Sequence, residues 1–172
     1  MKIVNLDGYT TNPGDLSWDW LGNYGEYKVY DRTAPEQIVE RAKDADILII
    51  NKSVITAQML ENLPNLKFVG LQSTGYNVID CKAARARNIT VSNIPAYSTT
   101  GVAQLVFAFI LQVADNVSLH SDAVHNGEWC QCPDFCFWKT PLTELDGKTI
   151  GIIGFGSIGR RVAQIANAFG MN

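Results

Sequence analysis

An α/β protein built on a parallel sheet is what this sequence predicts, on three observations. Short apolar runs with strand character alternate with segments of helical spacing over the first half of the chain, and the connections between them are short. One run, Ile47-Leu48-Ile49-Ile50, is apolar without interruption, the pattern of a parallel strand buried on both faces. Near residue 150, Thr149-Ile150-Gly151-Ile152-Ile153 runs into Gly154-Phe155-Gly156-Ser157-Ile158-Gly159, a strand followed by a G-x-G-x-x-G turn and an amphipathic helix. The first part therefore reads as a sheet with helices on both faces.

The elements follow in order. Residues 3–6 form a strand, and Asp7-Gly8 turns the chain. Residues 27–30 form a second, weaker strand. Residues 35–43 carry helical spacing, with Ile38 and Ala42 on one face and Glu36, Glu40 and Arg41 elsewhere. After the strand at 47–50, Thr56 is placed to cap a helix through Leu63, with Pro64 just past its end. Residues 68–71 are the fourth strand, 80–87 a helix closed near Asn88, and 89–91 the fifth strand. From Thr99 to about Ser121 the residues Val102, Leu105, Val106, Phe109, Ile110, Val113 and Val117 recur at helical spacing, and Phe107 and Leu111 widen the stripe. One long helix is expected there, buried by more than one neighbour, bridging two domains or sitting in a dimer contact. Residues 126–141 hold Trp129, Phe135, Phe137 and Trp138 and read as a loop too apolar to be a free linker. The final helix places Ile158, Val162, Ile165, Ala166 and Phe169 on one side, with Gly170 as its C-cap.

Composition narrows the classes. The 172 residues suffice for one domain, or one domain and part of another. Apolar residues at 47% and charged residues at 18% suit a globular protein with a core. A net charge of −3 without a basic block argues against nucleic acid as a partner. The N-terminus reads as a strand rather than a signal peptide, and no apolar run is long enough to span a bilayer. A cytoplasmic protein with no membrane partner and four cysteines held as thiols is expected.

Each glycine of the turn has its own physical task. Gly154 permits the tight exit from the strand, Gly156 lets the backbone approach a pyrophosphate, and Gly159 lets helix and strand pack closely. Free N–H groups around Ser157 and Ile158 and the helix dipole favour negative charge there. The alternative is a glycine-rich turn that binds nothing. The acidic residue that would grip the ribose is due about 20 residues further on, past Asn172, so NAD is expected with NADP not excluded.

Other segments carry a resemblance. Gln72-Ser73-Thr74-Gly75-Tyr76-Asn77-Val78-Ile79-Asp80 closely resembles the loop after the fourth strand in the D-isomer-specific 2-hydroxyacid dehydrogenases. Asn93-Ile94-Pro95-Ala96-Tyr97-Ser98-Thr99-Thr100-Gly101-Val102-Ala103-Gln104 is similar to the start of that family's interdomain helix. Gly127-Glu128-Trp129, Asp134-Phe135, Phe137-Trp138, Pro141-Leu142, Glu144-Leu145 and Gly147-Lys148-Thr149 resemble its glycerate dehydrogenase (hydroxypyruvate reductase) branch. The likeness runs through the whole chain in order.

The resemblance implies a flavodoxin-like, parallel-sheet substrate domain over residues 1–97. Residues 98–172 would hold the interdomain helix and the first βα unit of a Rossmann NAD-binding domain, incomplete. It implies hydride transfer between NAD(P)H and a small 2-keto or 2-hydroxy acid such as hydroxypyruvate or glycerate, in a homodimer. Ser73, Thr74, Gly75 and Tyr76 would face the substrate carboxylate, with Thr74 also near the cofactor. Thr100 and Gly154, Phe155, Gly156, Ser157, Ile158 and Gly159 would contact the cofactor. Ser157 stands where many relatives carry Arg or Gln. Lys52, beside Asn51 after the third strand, would help hold an acidic substrate; a solvated lysine is the plainer reading. The family's His, Glu and Arg follow the second Rossmann strand, so no catalytic residue is assigned in this chain and these residues alone are expected to be inactive. A non-catalytic NAD(H)-sensing protein, like the family's corepressor relatives, is the alternative. His120 and His125 are read as exposed or helix-end histidines near the C-terminal dipole. Cys130, Cys132 and Cys136 with His125 suggest zinc, but lack the paired C-x-x-C spacing, and no metal is expected. Tyr9, Trp18, Trp20 and Tyr24 read as packing under the first loop.

Overall fold

The computed structural model describes residues 1–172. The chain divides into two compact units, Met1–Pro95 and Ala96–Asn172. In the first, five parallel strands, β1 (Lys2–Asn5), β2 (Glu26–Val29), β3 (Ile47–Ile50), β4 (Phe68–Leu71) and β5 (Thr90–Ser92), lie in the order β2-β1-β3-β4-β5. This is the flavodoxin-like order, with its switch point between β1 and β3. A single turn, α1 (Gly8–Thr11), follows β1. Leu48 sits opposite Val4 and Val69, and Ile50 opposite Leu71, so these side chains share one face of the sheet. Against that face α2 (Ile38–Ala42), α3 (Ala57–Glu61) and α4 (Cys81–Ala86) bring Ile38, Ala42, Leu60 and Ala84, all buried. Each fully buried aliphatic side chain stabilises the fold by about 1.5–3 kcal/mol relative to exposure, so this cluster dominates the unit.

The expected cap at Thr56 forms, and Asp80, read as the first residue of its helix, caps α4 instead. Thr56 Oγ1 accepts from the Met59 N–H at 3.3 Å, and Asp80 Oδ1 from the Ala83 N–H at 2.9 Å. Asn88 takes a left-handed φ of 57° and ends the helical segment. The opposite face of the sheet departs from expectation. Instead of a helical layer it meets a 3-10 turn, Asp19–Asn23, and Ile47 and Ile49 are only half-buried. They line an apolar groove of about 510 Å³ with Trp18, Trp20, Leu21 and Tyr24. Trp20 and Tyr24 meet edge to face at 6.2 Å on its rim, so Trp18, Trp20 and Tyr24 border the sheet rather than pack under the first loop, while Tyr9 lies apart with the Arg32 guanidinium 4.2 Å over its ring.

In the second unit α5 (Thr99–Asp115) packs on α8 (Ser157–Ala168) through Ala103, Phe107, Val162 and Ala166. The Phe107 and Phe169 rings stack with centroids 5.3 Å apart. The single long helix expected to Ser121 is broken. Asn116 adopts φ +50°, and α6 (Val117–His125) leaves at 61° to α5. Asparagine tolerates that backbone better than most residues. Its N–H closes on Gln112 O at 3.0 Å and its Nδ2 donates to Thr140 Oγ1 at 3.1 Å. No single helix is long and apolar enough to cross a membrane; only the bent pair α5 and α6 together reaches that length and apolarity.

The expected aromatic loop contains a short helix, α7 (Glu128–Gln131), with the Trp129 and Phe137 rings 5.9 Å apart and Lys139 Nζ 2.6 Å from Glu128 Oε2. The run before the glycines forms no laddered strand. It is bonded on one side only, Ile150 N–H to Asn172 O at 2.9 Å and Asn172 N–H to Lys148 O at 2.7 Å, and Ile153 is fully exposed. A strand needs neighbours along its length, and here one residue supplies them.

Candidate functional site

Three loops at the ends of strands or at the head of a helix carry the predicted site residues. The first follows β4. The carbonyls of Ser73, Thr74 and Gly75 are engaged: Ser73 O accepts from Ile94 N–H at 3.0 Å, Thr74 O from Asn93 Nδ2 at 2.7 Å, and Gly75 O from Ser73 Oγ at 2.8 Å. Thr74 Oγ1 donates to Ile94 O at 3.0 Å. None of the backbone N–H groups from Ser73 to Val78 finds an acceptor within the chain. Fixed carbonyls and free, exposed amides make a loop suited to an anion. Tyr76 is exposed and borders a cavity of about 610 Å³ shared with Cys81, Arg85 and Asn93.

The second loop follows β3 and holds Asn51 and Lys52. Here the first unit shows a feature that residue types did not reveal. Asp7, only 5% exposed, reaches from the end of β1 into this loop. Its Oδ2 accepts the N–H groups of Asn51, Lys52 and Ser53 at 2.7, 3.0 and 2.9 Å, and its Oδ1 accepts Ser53 Oγ at 2.9 Å. Lys52 is exposed and its ammonium has no hydrogen-bond or ion-pair partner. It borders a cavity of about 360 Å³ with Thr10, Arg32, Thr33 and Ser53. A parallel bridge, Ile55 to Ile79, ties this loop to the first: Ile55 N–H donates to Val78 O at 2.7 Å and Asp80 N–H to Ile55 O at 3.1 Å.

The third loop leads into α8. Gly154 has φ +96°, where a side chain would be strained. A Cβ at Gly159 would collide with the Gly154 carbonyl oxygen. Gly156, with φ −80°, is neither strained nor crowded; a Cβ there meets nothing within 4 Å. The chain itself does not require glycine at 156, but a side chain there would fill the space at the head of the helix. The N–H groups from Gly154 to Gly159 have no acceptor within the chain, and the helix carries partial positive charge at this end. The residues present therefore fit a pyrophosphate. Phe155, Ser157 and Ile158 are exposed beside it, and Thr100 is exposed in the first turn of α5.

The histidines differ. His125 ends α6, exposed, with Nδ1 2.8 Å from Ser121 O, as expected. His120 does not match the expectation of an exposed or helix-end residue. It is half-buried in the first half of α6, and its Nε2 accepts the Lys139 N–H at 3.1 Å. Nδ1, 2.9 Å from Asn116 O, is then the protonated nitrogen. Its ring ties α6 to the aromatic segment. No three of the cysteine, histidine or acidic side chains converge as a metal-binding group; Cys132 Sγ instead donates to Cys136 O at 3.5 Å.

Comparison with known proteins places this geometry. The chain is 48% identical over 174 aligned positions to a hydroxypyruvate reductase of Blautia hydrogenotrophica, covering 99% of this chain and 54% of that protein. It is 38% identical over 147 positions to a glycerate dehydrogenase of Methylorubrum extorquens, covering 85% and 47%. The chain thus spans about half the length of the curated relatives it matches. Among solved structures, an acyclic imino acid reductase in complex with NADPH and D-Arg superposes with a TM-score of 0.75 at 32% identity, covering 99% of this chain and 54% of that one. The TT0316 protein of Thermus thermophilus superposes with a TM-score of 0.77 at 28% identity, again covering 99% and 54%. A family profile described as D-isomer specific 2-hydroxyacid dehydrogenase, catalytic domain, matches residues 10–167. With the flavodoxin-like sheet, the amide-rich loop after β4 and the glycine turn in one chain, that match makes this protein a member of the D-isomer specific 2-hydroxyacid dehydrogenase family.

Proposed function

We propose that this protein serves as an NAD(P)-dependent oxidoreductase that interconverts a small 2-keto acid and its 2-hydroxy acid, of the hydroxypyruvate and glycerate type. The 48% identity to a hydroxypyruvate reductase over nearly the whole chain carries the reading. The site geometry supports it. The amides of Ser73 to Tyr76 would hold the substrate carboxylate, and the Lys52 ammonium, free of partners, would add positive charge at the rim. The head of α8 would hold the cofactor pyrophosphate through the amides of Gly156, Ser157 and Ile158, with Thr100 a further contact. When bound, the nicotinamide supplies the hydride. The residues of this chain bind and orient; none is poised to move the proton, because His120 is engaged on both nitrogens and His125 closes its own helix. The 172 residues alone should bind NADH weakly and show no turnover.

The test is NADH oxidation by the full-length protein with hydroxypyruvate and with glyoxylate, and NADPH in parallel. Turnover of either acid is expected. Tight NADH binding with no 2-keto acid reduced would instead indicate a nucleotide-sensing protein, and the absence of both would end the reading.

A further inference from the structure

We propose that Asp7 is a positioning residue for substrate binding: its carboxylate fills the anion nest at the switch point and so fixes the backbone that presents Lys52. The inference rests on the reading of Lys52 as a substrate-binding cation.

In doubly wound sheets, ligands bind beyond the carboxyl ends of the strands where the strand order reverses. In the first unit that place lies between β1 and β3. Three consecutive N–H groups, of Asn51, Lys52 and Ser53, converge there on one oxygen, which belongs to the chain's own Asp7. A buried carboxylate is costly unless its lone pairs are satisfied, and four donors satisfy this one. The group is braced from behind. Asp7 N–H donates to the buried Asn5 Oδ1 at 3.0 Å; Thr10 Oγ1 donates to Asp7 O at 2.8 Å and accepts Asn51 Nδ2 at 2.9 Å.

Two consequences follow for Lys52. Its peptide is fixed on both sides, while its ammonium is left unpaired, because the neighbouring carboxylate is aimed into the amides. And through the Ile55–Ile79 bridge the fixed loop is held in register with the loop of Ser73 to Tyr76. One carboxylate thus sets the relative position of a cation and a set of amides meant for the same acid.

The experiment compares full-length wild type, Asp7→Gly and Asp7→Asn. Asp7→Gly opens the nest; its KM for hydroxypyruvate should rise about tenfold with kcat within about twofold, the pattern of lost binding. Sodium formate, a free carboxylate small enough for the nest, should restore KM and raise the unfolding temperature of Asp7→Gly, and sodium chloride should do neither. Asp7→Asn keeps one oxygen for the three amides and should fall between the two. Hydrogen exchange at Asn51, Lys52 and Ser53, fast in Asp7→Gly and slowed by formate, reads the same contact without turnover. A loss of kcat at constant KM, or no formate response in either assay while NADH oxidation is intact, overturns the inference. If wild type oxidises no NADH, the proposed function fails, and hydrogen exchange alone then decides whether Asp7 holds the loop.

Discussion

Replacing Gly159 with alanine drives a methyl group into the Gly154 carbonyl oxygen, whereas the same change at Gly156 meets open space. The two variants should therefore separate folding from binding. Gly159→Ala is expected to destabilise the protein by about 1–3 kcal/mol in urea unfolding, the usual cost of overpacking. Gly156→Ala should leave stability within about 0.5 kcal/mol. It should nonetheless weaken NADH binding about tenfold in a fluorescence titration, the equivalent of about 1.4 kcal/mol. A third residue lies in the first unit, just before β3. Asp46 accepts from Lys67 Nζ at 2.7 Å and from Lys2 N–H at 2.8 Å, and chiefly the Lys67 bond holds its carboxyl below the ordinary carboxylate range. A depressed carboxyl stabilises the fold above its unfolded pKa, and that contribution is lost as pH falls through the folded value. Asp46→Asn should slightly lower the unfolding temperature at pH 7, and the gap to wild type should close on acid titration below the ordinary carboxylate range. The glycine turn was legible because the constraints on Gly154 and Gly159 are local, within six residues of chain. Asp7 was not. Aspartate followed by glycine after a strand reads as a turn, and its partners lie 44 to 46 residues away, brought to it only by the pairing of β1 with β3.

At the scale of elements, the bend between α5 and α6 hangs on Asn116. Alanine there must hold a left-handed backbone at a cost of about 1–2 kcal/mol, so Asn116→Ala should lower stability by that amount in urea unfolding. Asn116→Gly, free of that strain, should lose less, retaining the bend but not the contact to Thr140. Periodicity could not show this bend, because Val113 and Val117 continue the apolar stripe across it. The cap at Thr56 was readable because capping joins residues three apart. The run at 149–153 has the composition of a strand, yet composition does not supply a neighbour, and only Asn172 pairs with it. The uniform run at 47–50 likewise gave no hint that one face of its sheet carries α2, α3 and α4 while the other carries a groove.

Considered whole, the molecule exposes one long apolar stripe. Leu105, Phe109 and Val113, each four residues apart on α5, are 53%, 64% and 79% exposed. The sequence predicts that this helix bridges two domains or sits in a dimer contact, and the exposed stripe is the surface that either contact would cover. Light scattering on the full-length protein and on Phe109→Glu separates the two: a dimer contact predicts a shift toward monomer in the variant, a contact between domains predicts an unchanged mass with a lower unfolding temperature. The alternation of elements made the α/β class readable, but the strand order β2-β1-β3-β4-β5 depends on which strands meet across distance; it followed from the resemblance rather than from periodicity.

The tryptophans divide evenly between the two units. Trp18 and Trp20 border the groove on the sheet of the first, and Trp129 and Trp138 belong to the aromatic segment of the second. Exchanging either pair for phenylalanine leaves the remaining pair as an optical reporter confined to one unit. Emission curves from the two variants, followed through the same denaturant series, would then coincide if the units melt as one cooperative body and separate if each melts alone.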